Sequence, residues 1–221
     1  MHHFFGTRKD PVRLESRQGQ IVVAVKQVHG TDTLVLNRRI GPEERFDGGW
    51  DALVTDQPGV LLTIRTADCV PVLLHEPRRR VVAALHAGWR GAVAGLVPRV
   101  IGVLERRLGV APSGLRMAIG PAIRSCCYEV DAPVLDPLRK TFPGWRAVVE
   151  GTRPGKGLLD LQGLVRGQAI ERGVPDEAIH TVRVCTACHP ELMYSNRRDG
   201  GVRGTMISGI MLASPRQPAR R

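Results

Sequence analysis

Between Val60 and Leu85 the chain places three short apolar runs, Val60 to Arg65, Val70 to Leu74 and Val81 to Leu85, with no helical segment between them. Each is too short for a stable helix and reads as a buried strand. The last two flank His75-Glu-Pro-Arg-Arg-Arg80, a polar connection containing proline that suits a hairpin. Strands packed this closely in sequence exclude a regular βαβ repeat, because each parallel crossover needs a dozen or more residues. They predict an α+β fold with mixed β-sheets flanked by helices.

Further strands are expected at Ile21 to Val25, Leu115 to Ile119, His180 to Val184 and Gly204 to Leu212. Val93, Leu96, Val97, Val100, Ile101, Leu104 and Leu108 recur at helical spacing, which predicts one helix from Ala92 to Leu108 with an ordinary core-facing stripe and a kink at Pro98. A second helix is expected from Leu161 to Arg172, stopped by Gly173. Gly151-Thr-Arg-Pro-Gly-Lys-Gly157 lacks the Gly-Lys-Ser/Thr ending of a phosphate loop and reads as a solvated turn. With neither an internal repeat nor a linker, residues 1–213 are expected to form a single catalytic domain, and residues 214–221 a disordered basic tail.

No run approaches the roughly 20 apolar residues that span a bilayer, and the first residues lack a signal-peptide plan, so the chain is expected to be cytoplasmic with no membrane partner. Five cysteines, without an export signal, fit free thiols or metal ligands better than a disulfide framework. Adjacent Cys126 and Cys127 are not expected to bridge each other. The net charge of +11 comes mainly from arginines scattered through the chain. There is no basic helix and no aromatic-basic RNA motif, so no specific nucleic-acid partner is expected, although a basic RNA-binding protein stands as the non-enzymatic alternative.

His29 follows Gln27 and precedes Gly30, Cys69 follows Asp68 at the end of an apolar run, and His86 ends another, four residues before Arg90. Two imidazoles and a thiolate suit a catalytic zinc, which keeps an open fourth position, whereas a structural zinc closes its shell with four protein ligands. Taken singly, each residue has an ordinary structural reading: His29 a solvated turn residue, Cys69 a small buried hydrophobe, His86 a helix-entrance cap. Spacing alone favours that reading. The setting weighs against it, because all three lie at strand ends beside polar groups, as in a pocket.

Around these residues the motifs Gln27-Val-His-Gly30, Asp51-Ala-Leu-Val-Thr55, Thr66-Ala-Asp-Cys-Val-Pro71, His86-Ala-Gly-Trp-Arg-Gly91, Gly120-Pro-Ala-Ile123, Cys127-Tyr-Glu-Val130, Cys185-Thr186 and Ser195-Asn-Arg-Arg-Asp-Gly200 follow in order. In them the chain resembles a family variously called laccase-domain, multicopper polyphenol oxidase-like or purine nucleoside phosphorylase proteins, which includes a peptidoglycan-editing member. The resemblance runs from about Gln27 to Ile210. It implies α-β-β-α layers, zinc held by His29, Cys69 and His86, and phosphorolysis of adenosine, inosine, guanosine and methylthioadenosine, with adenosine deamination as a second activity. The expected partners are therefore purine nucleosides and phosphate, and the oligomeric state stays open. Two departures stand out: the segment between Arg8 and Ile21 is short, and Asn196 replaces a tyrosine usual in the family.

For such chemistry Asp68, Cys69 and His86 are the expected catalytic residues, with Gln27, Arg90 and Arg197 binding substrate. The guanidinium groups of Arg90 and Arg197 suit phosphate, whose oxygens they grip bidentately. Asp68 suits either proton transfer or the orientation of a zinc ligand. Polyphenol oxidation by several coppers needs many histidines, and this chain has seven, so copper is the lesser expectation. The alternative enzyme is a metal-free cysteine hydrolase acting on an amide in peptidoglycan editing, with Cys69 as nucleophile. Cys185-Thr-Ala-Cys-His189 spells the c-type haem attachment pattern, which the absence of an export signal disfavours, and a second metal site from Cys185, Cys188 and His189 has no further support in the sequence.

Overall fold

Three sheets carry the chain in the computed structural model, which describes residues 1–9, 20–42 and 44–213. The six-stranded sheet has the order β12 (Ile179–Thr181), β8 (Arg116–Ile119), β6 (Val70–Glu76), β7 (Val81–Ala87), β4 (Ala52–Thr55), β3 (Thr33–Leu36). A four-stranded sheet runs β1 (His2–Phe5), β13 (Met206–Met211), β5 (Val60–Thr66), β2 (Ile21–Val23), and a three-stranded one β10 (Val149–Arg153), β11 (Lys156–Leu159), β9 (Glu129–Val130). The helices are α1 (Trp89–Val93), α2 (Leu96–Leu108), α3 (Ala132–Thr141), α4 (Leu161–Glu171) and α5 (Asn196–Asp199). The two larger sheets are mixed: β6 and β7 form the expected antiparallel hairpin, while β3 with β4 and β8 with β12 are parallel.

The central strands read as unbroken apolar runs because both their faces are covered. Along β7, Val81, Ala83, Leu85 and Ala87 face the helices, while Val82 and Ala84 pack toward Leu62, Ile64 and Ile210 of the four-stranded sheet. The stripe of Leu96, Val97, Val100, Ile101 and Leu104 on α2 belongs to the helix-side core, as its periodicity predicts.

Several boundaries differ from expectation, each for a local reason. The helix expected from Ala92 to Leu108 is two helices, broken at Ala94 and Gly95, with Gly95 at φ +81. Pro98 therefore kinks nothing: it sits in the first turn of α2, where an N–H has no intrahelical acceptor to miss. The strand expected from His180 to Val184 is Ile179–Thr181, and beyond it Cys185 makes only an isolated bridge to Ala122. α3 was not expected, since Pro133 and Pro137 mask its period. Gly151 to Gly157 lies across the β10–β11 hairpin, with Gly155 at φ +77, consistent with the expected turn. The expected tail at 214–221 and most of the short segment after Arg8 lie outside the described residues.

Candidate metal centre

Asp51, immediately before β4, organises the centre, although the sequence marked it only as the first residue of a motif. It is 1% exposed. A carboxylate so buried must be hydrogen-bonded. Oδ2 accepts the backbone N–H groups of Gly30 at 2.7 Å and Val28 at 3.2 Å, and Oδ1 accepts that of His29 at 3.0 Å. The same Oδ1 lies 2.7 Å from Nδ1 of His86, and the Asp51 carbonyl accepts the His86 N–H at 2.8 Å. One side chain thus wraps the His29 loop and orients the His86 ring. His29 itself takes φ +61, a left-handed conformation in which histidine is enriched relative to most residues.

Cys69 directly precedes β6. The β6–β7 register pairs Val70 with Ala87 and Pro71 with His86, which carries Cys69 and His86 to one edge of the sheet. There the ligand atoms of His29, Cys69 and His86 all lie within 4.8 Å of one another. The two imidazole rings stand edge to face, with centroids 4.7 Å apart. Close approach depends on glycine: a Cβ on Gly88 would lie 2.7 Å from Cδ2 of His29 and 3.1 Å from Sγ of Cys69, and one on Gly91 would lie 2.6 Å from the Gly30 carbonyl oxygen.

The donor set fits a metal ion. Asp51 occupies Nδ1 of His86 and leaves Nε2 for a ligand bond, the arrangement that fixes the tautomer of metal-binding histidines. Burial pushes the Cys69 thiol up, but hydrogen bonds from His29 and His86, with their charges, overcome it and bring the thiol down to about 7. Burial would lower His86, yet its bonds to Asp51 and Cys69 raise it to about 9.

A metal takes thiolate and neutral imidazole, so binding displaces whichever of these protons is present. Below about pH 7 both Cys69 and His86 carry theirs; between about 7 and 9 only His86 does; above that neither does. Metal affinity is therefore expected to rise with pH up to about 9. Chelator competition on the metal-free chain is expected to show an apparent Zn²⁺ affinity that increases between about pH 6 and about pH 8. An affinity that stays flat or falls over that range would contradict this ordering.

The centre opens into a cavity of about 310 Å³ lined by His29, Asp68, Cys69, Arg90, Tyr128 and Arg197, among others. That volume lies near the lower end for small-molecule sites. A larger hollow of about 700 Å³, between the β6–β7 turn and the segment before β8, holds none of these groups. Arg90 stacks on the Trp89 ring at 4.4 Å and Arg197 on Tyr128 at 4.9 Å. Among the described residues neither arginine is in an ion pair.

Asp68 is 8% exposed and takes φ +89. The Thr186 hydroxyl donates to its Oδ1 at 2.5 Å and the Arg197 N–H to its Oδ2 at 2.7 Å. Both oxygens are engaged, which suits a positioning role, tying α5 and the Thr186 loop to the residue beside Cys69. Burial holds the Tyr128 phenol up at about 12, reinforced by the charges of Cys69 and Asp68, so it enters the cavity as a hydrogen-bond donor. Asn196 also lines the cavity.

Gln27 is used differently from the expectation of a substrate contact. Its amide nitrogen donates to the Arg65 carbonyl at 2.8 Å and its oxygen accepts the Arg65 N–H at 2.8 Å. The side chain thereby extends the edge of β5 and is not among the residues lining the cavity. The missed residues, Asp51, Tyr128 and Thr186, all stand inside the ordered motifs, and a lone acid directly before the apolar run Ala52-Leu-Val54 was the available signal for Asp51.

A sequence-family model described as multi-copper polyphenol oxidoreductase laccase matches residues 9–213. The chain is 39% identical over 202 residues to purine nucleoside phosphorylase YlmD of Geobacillus stearothermophilus, covering 85% of this chain and 71% of that one. It is 32% identical over 195 residues to adenosine deaminase RL5 from an unknown prokaryotic organism, covering 86% and 74% respectively. The crystal structure of YlmD from Geobacillus stearothermophilus superposes with a TM-score of 0.81 at 36% identity, over 88% of this chain and 74% of that chain.

Proposed function

Because the chain belongs to the family described as multi-copper polyphenol oxidoreductase laccase, and is similar to relatives named purine nucleoside phosphorylase and adenosine deaminase, we propose that it is a zinc-dependent enzyme acting on purine nucleosides. With phosphate it cleaves adenosine, inosine, guanosine and methylthioadenosine to the free base and the sugar 1-phosphate. Adenosine deamination is its second reaction at the same centre. The observation that carries this reading is the convergence of His29, Cys69 and His86 beside two arginines that, among the described residues, form no ion pair.

His29, Cys69 and His86 would hold a zinc ion, which would supply Lewis acidity and lower the pKa of a water there. Arg90 and Arg197 grip phosphate, held in place by their aromatic stacks. Tyr128 keeps its proton and donates a hydrogen bond to the substrate, while Asp68 holds the Arg197 backbone in position. In phosphorolysis an oxygen of hydrogen phosphate bonds to the anomeric carbon as the bond to the purine nitrogen breaks, and the departing base takes up the proton that the hydrogen phosphate gives up.

One further reading has an observation behind it. Cys69, His86 and Asp51 form a continuous hydrogen-bonded series, thiol to imidazole to carboxylate, which is the arrangement of a metal-free cysteine hydrolase. Zinc-free protein with an amidase activity abolished by Cys69 alkylation would establish it. Multi-copper oxidation fits the donors less well, because the two groups suited to a metal among the described residues are one His2Cys set and one set of four thiols. Imidazole and thiolate also suit copper, so elemental analysis of the purified chain decides between the metals.

The direct test incubates metal-quantified protein with adenosine, with and without phosphate. Adenine with ribose 1-phosphate, formed only when phosphate is present, is the expected main product, and inosine formed regardless of phosphate is the second. Absence of both sinks the nucleoside reading. Arg90→Ala and Arg197→Ala are each expected to raise the phosphate KM about 10- to 100-fold, the loss of one charge-assisted contact, while deamination stays near the parent rate. Equal losses in both reactions would remove the phosphate role.

A further inference from the structure

Cys126 and Cys127 lie in a turn after β8, and Cys185 and Cys188 in the loop after β12. Backbone pairing brings the two segments together: the Ala122 N–H donates to the Val184 carbonyl at 3.3 Å and the Thr186 N–H to the Ala122 carbonyl at 3.1 Å. Sγ of Cys188 stands 3.3 Å from that of Cys127 and 3.6 Å from that of Cys126. All four sulfurs lie within 4.8 Å of one another, and all four are free thiols.

We propose that Cys126, Cys127, Cys185 and Cys188 form a closed tetrathiolate site for one zinc ion, separate from the His29–Cys69–His86 centre. Tetrahedral zinc with Zn–S bonds of about 2.3 Å sets sulfur–sulfur edges of about 3.8 Å. The separations of 3.3 and 3.6 Å lie just inside that edge. The Cys188 sulfur adjoins two others at once, which a single disulfide cannot satisfy and a common central cation does. Cys185-x-x-Cys188 supplies the short chelating pair usual in structural zinc sites, and soft thiolates select such an ion.

Four protein ligands leave no position for substrate, so this ion's work is to hold the two loops together. What they carry makes that consequential. Thr186, next to Cys185, donates to Asp68, and its carbonyl accepts from Arg198 at 2.9 Å. Tyr128, next to Cys127, lines the catalytic cavity. His189 is not a ligand: its ring faces Glu191 at 3.6 Å, and Cys126 and Cys127 complete the set instead.

The test uses the full chain, purified under reducing conditions, reconstituted with zinc and desalted. Two zinc ions per chain are expected, falling to one both in His29→Asn/His86→Ala and in Cys185→Ser/Cys188→Ser. In case the cysteine variant fails to fold, alkylation of the parent mapped by mass spectrometry supplies an independent reading. Exposed Cys126 and Cys188 are diagnostic, because burial does not shield them. They are expected to resist alkylation in the parent and in His29→Asn/His86→Ala, and to react once a chelator is added. Alkylation indifferent to the chelator, a disulfide between Cys127 and Cys188 in the reduced preparation, iron in place of zinc, or a zinc content unchanged by Cys185→Ser/Cys188→Ser would each overturn the proposal.

Discussion

Replacing His86 with alanine is expected to cut nucleoside turnover by about 10³-fold or more, the equivalent of the several kcal/mol of charge stabilisation that a bound metal supplies. The side chain is 3% exposed and lies between Asp51 and Cys69, so its removal deletes one ligand and the neighbour that holds the Cys69 thiol down. Because so buried a residue also contributes to folding, His29→Asn is the companion variant. His29 is exposed, and asparagine tolerates its φ of +61. Both variants are expected to lose metal, measured by elemental analysis, and turnover, measured with adenosine, while His29→Asn keeps the parent circular dichroism. The cysteine-hydrolase reading forecasts something different for His29→Asn: an amidase that survives, since Cys69, His86 and Asp51 are intact. Parent-level metal and turnover in both variants would dismantle the centre as drawn.

The second large effect is expected from Asp51→Asn, a change of shape so small that packing hardly registers it. The carboxylate accepts from three backbone amides and faces His86 Nδ1, four interactions that require acceptors. An amide offers one oxygen and turns an N–H₂ toward the remaining donors, leaving buried N–H groups unpaired at about 1–3 kcal/mol each. It also gives up the charge that raises His86. Metal affinity is expected to fall about 10- to 100-fold, the usual cost of losing the group behind a metal-binding histidine, with a lowered unfolding midpoint in denaturant. Chelator competition measures the first and urea titration the second. Unchanged affinity together with unchanged stability would show that the His29 loop is held by something other than Asp51.

Much of the fold was legible because its cause is local. The runs at Val60, Val70 and Val81 announce strands since a buried sheet needs apolar side chains on both faces, and the α2 stripe announces a helix since one face must meet the core. Legibility stopped where local rules competed. Pro98 looked like a kink and is a first-turn residue, and Pro133 and Pro137 concealed α3 because a helix that tolerates proline is decided by the packing of Val134, Leu135 and Leu138. Gln27, polar and beside a ligand, looked like a substrate contact, yet its amide matches the free backbone edge at Arg65, which only strand placement reveals.

At the centre itself, residue chemistry and motif order were enough to single out His29, Cys69 and His86, because thiolate and imidazole are what a metal of this class takes. Their meeting was not in the sequence pattern. It follows from the β6–β7 register, which brings Cys69 to the edge that bears His86, and from Asp51, whose buried charge must collect the amides of the His29 loop to be tolerated at all. The four cysteines repeat the lesson, since two unremarkable pairs become one cluster only through the bridge between Ala122 and Cys185. Side-chain periodicity records which residues are buried, and so determines elements. Which buried groups meet depends on register and on satisfying every buried polar atom, and those are decided only when the whole chain has packed.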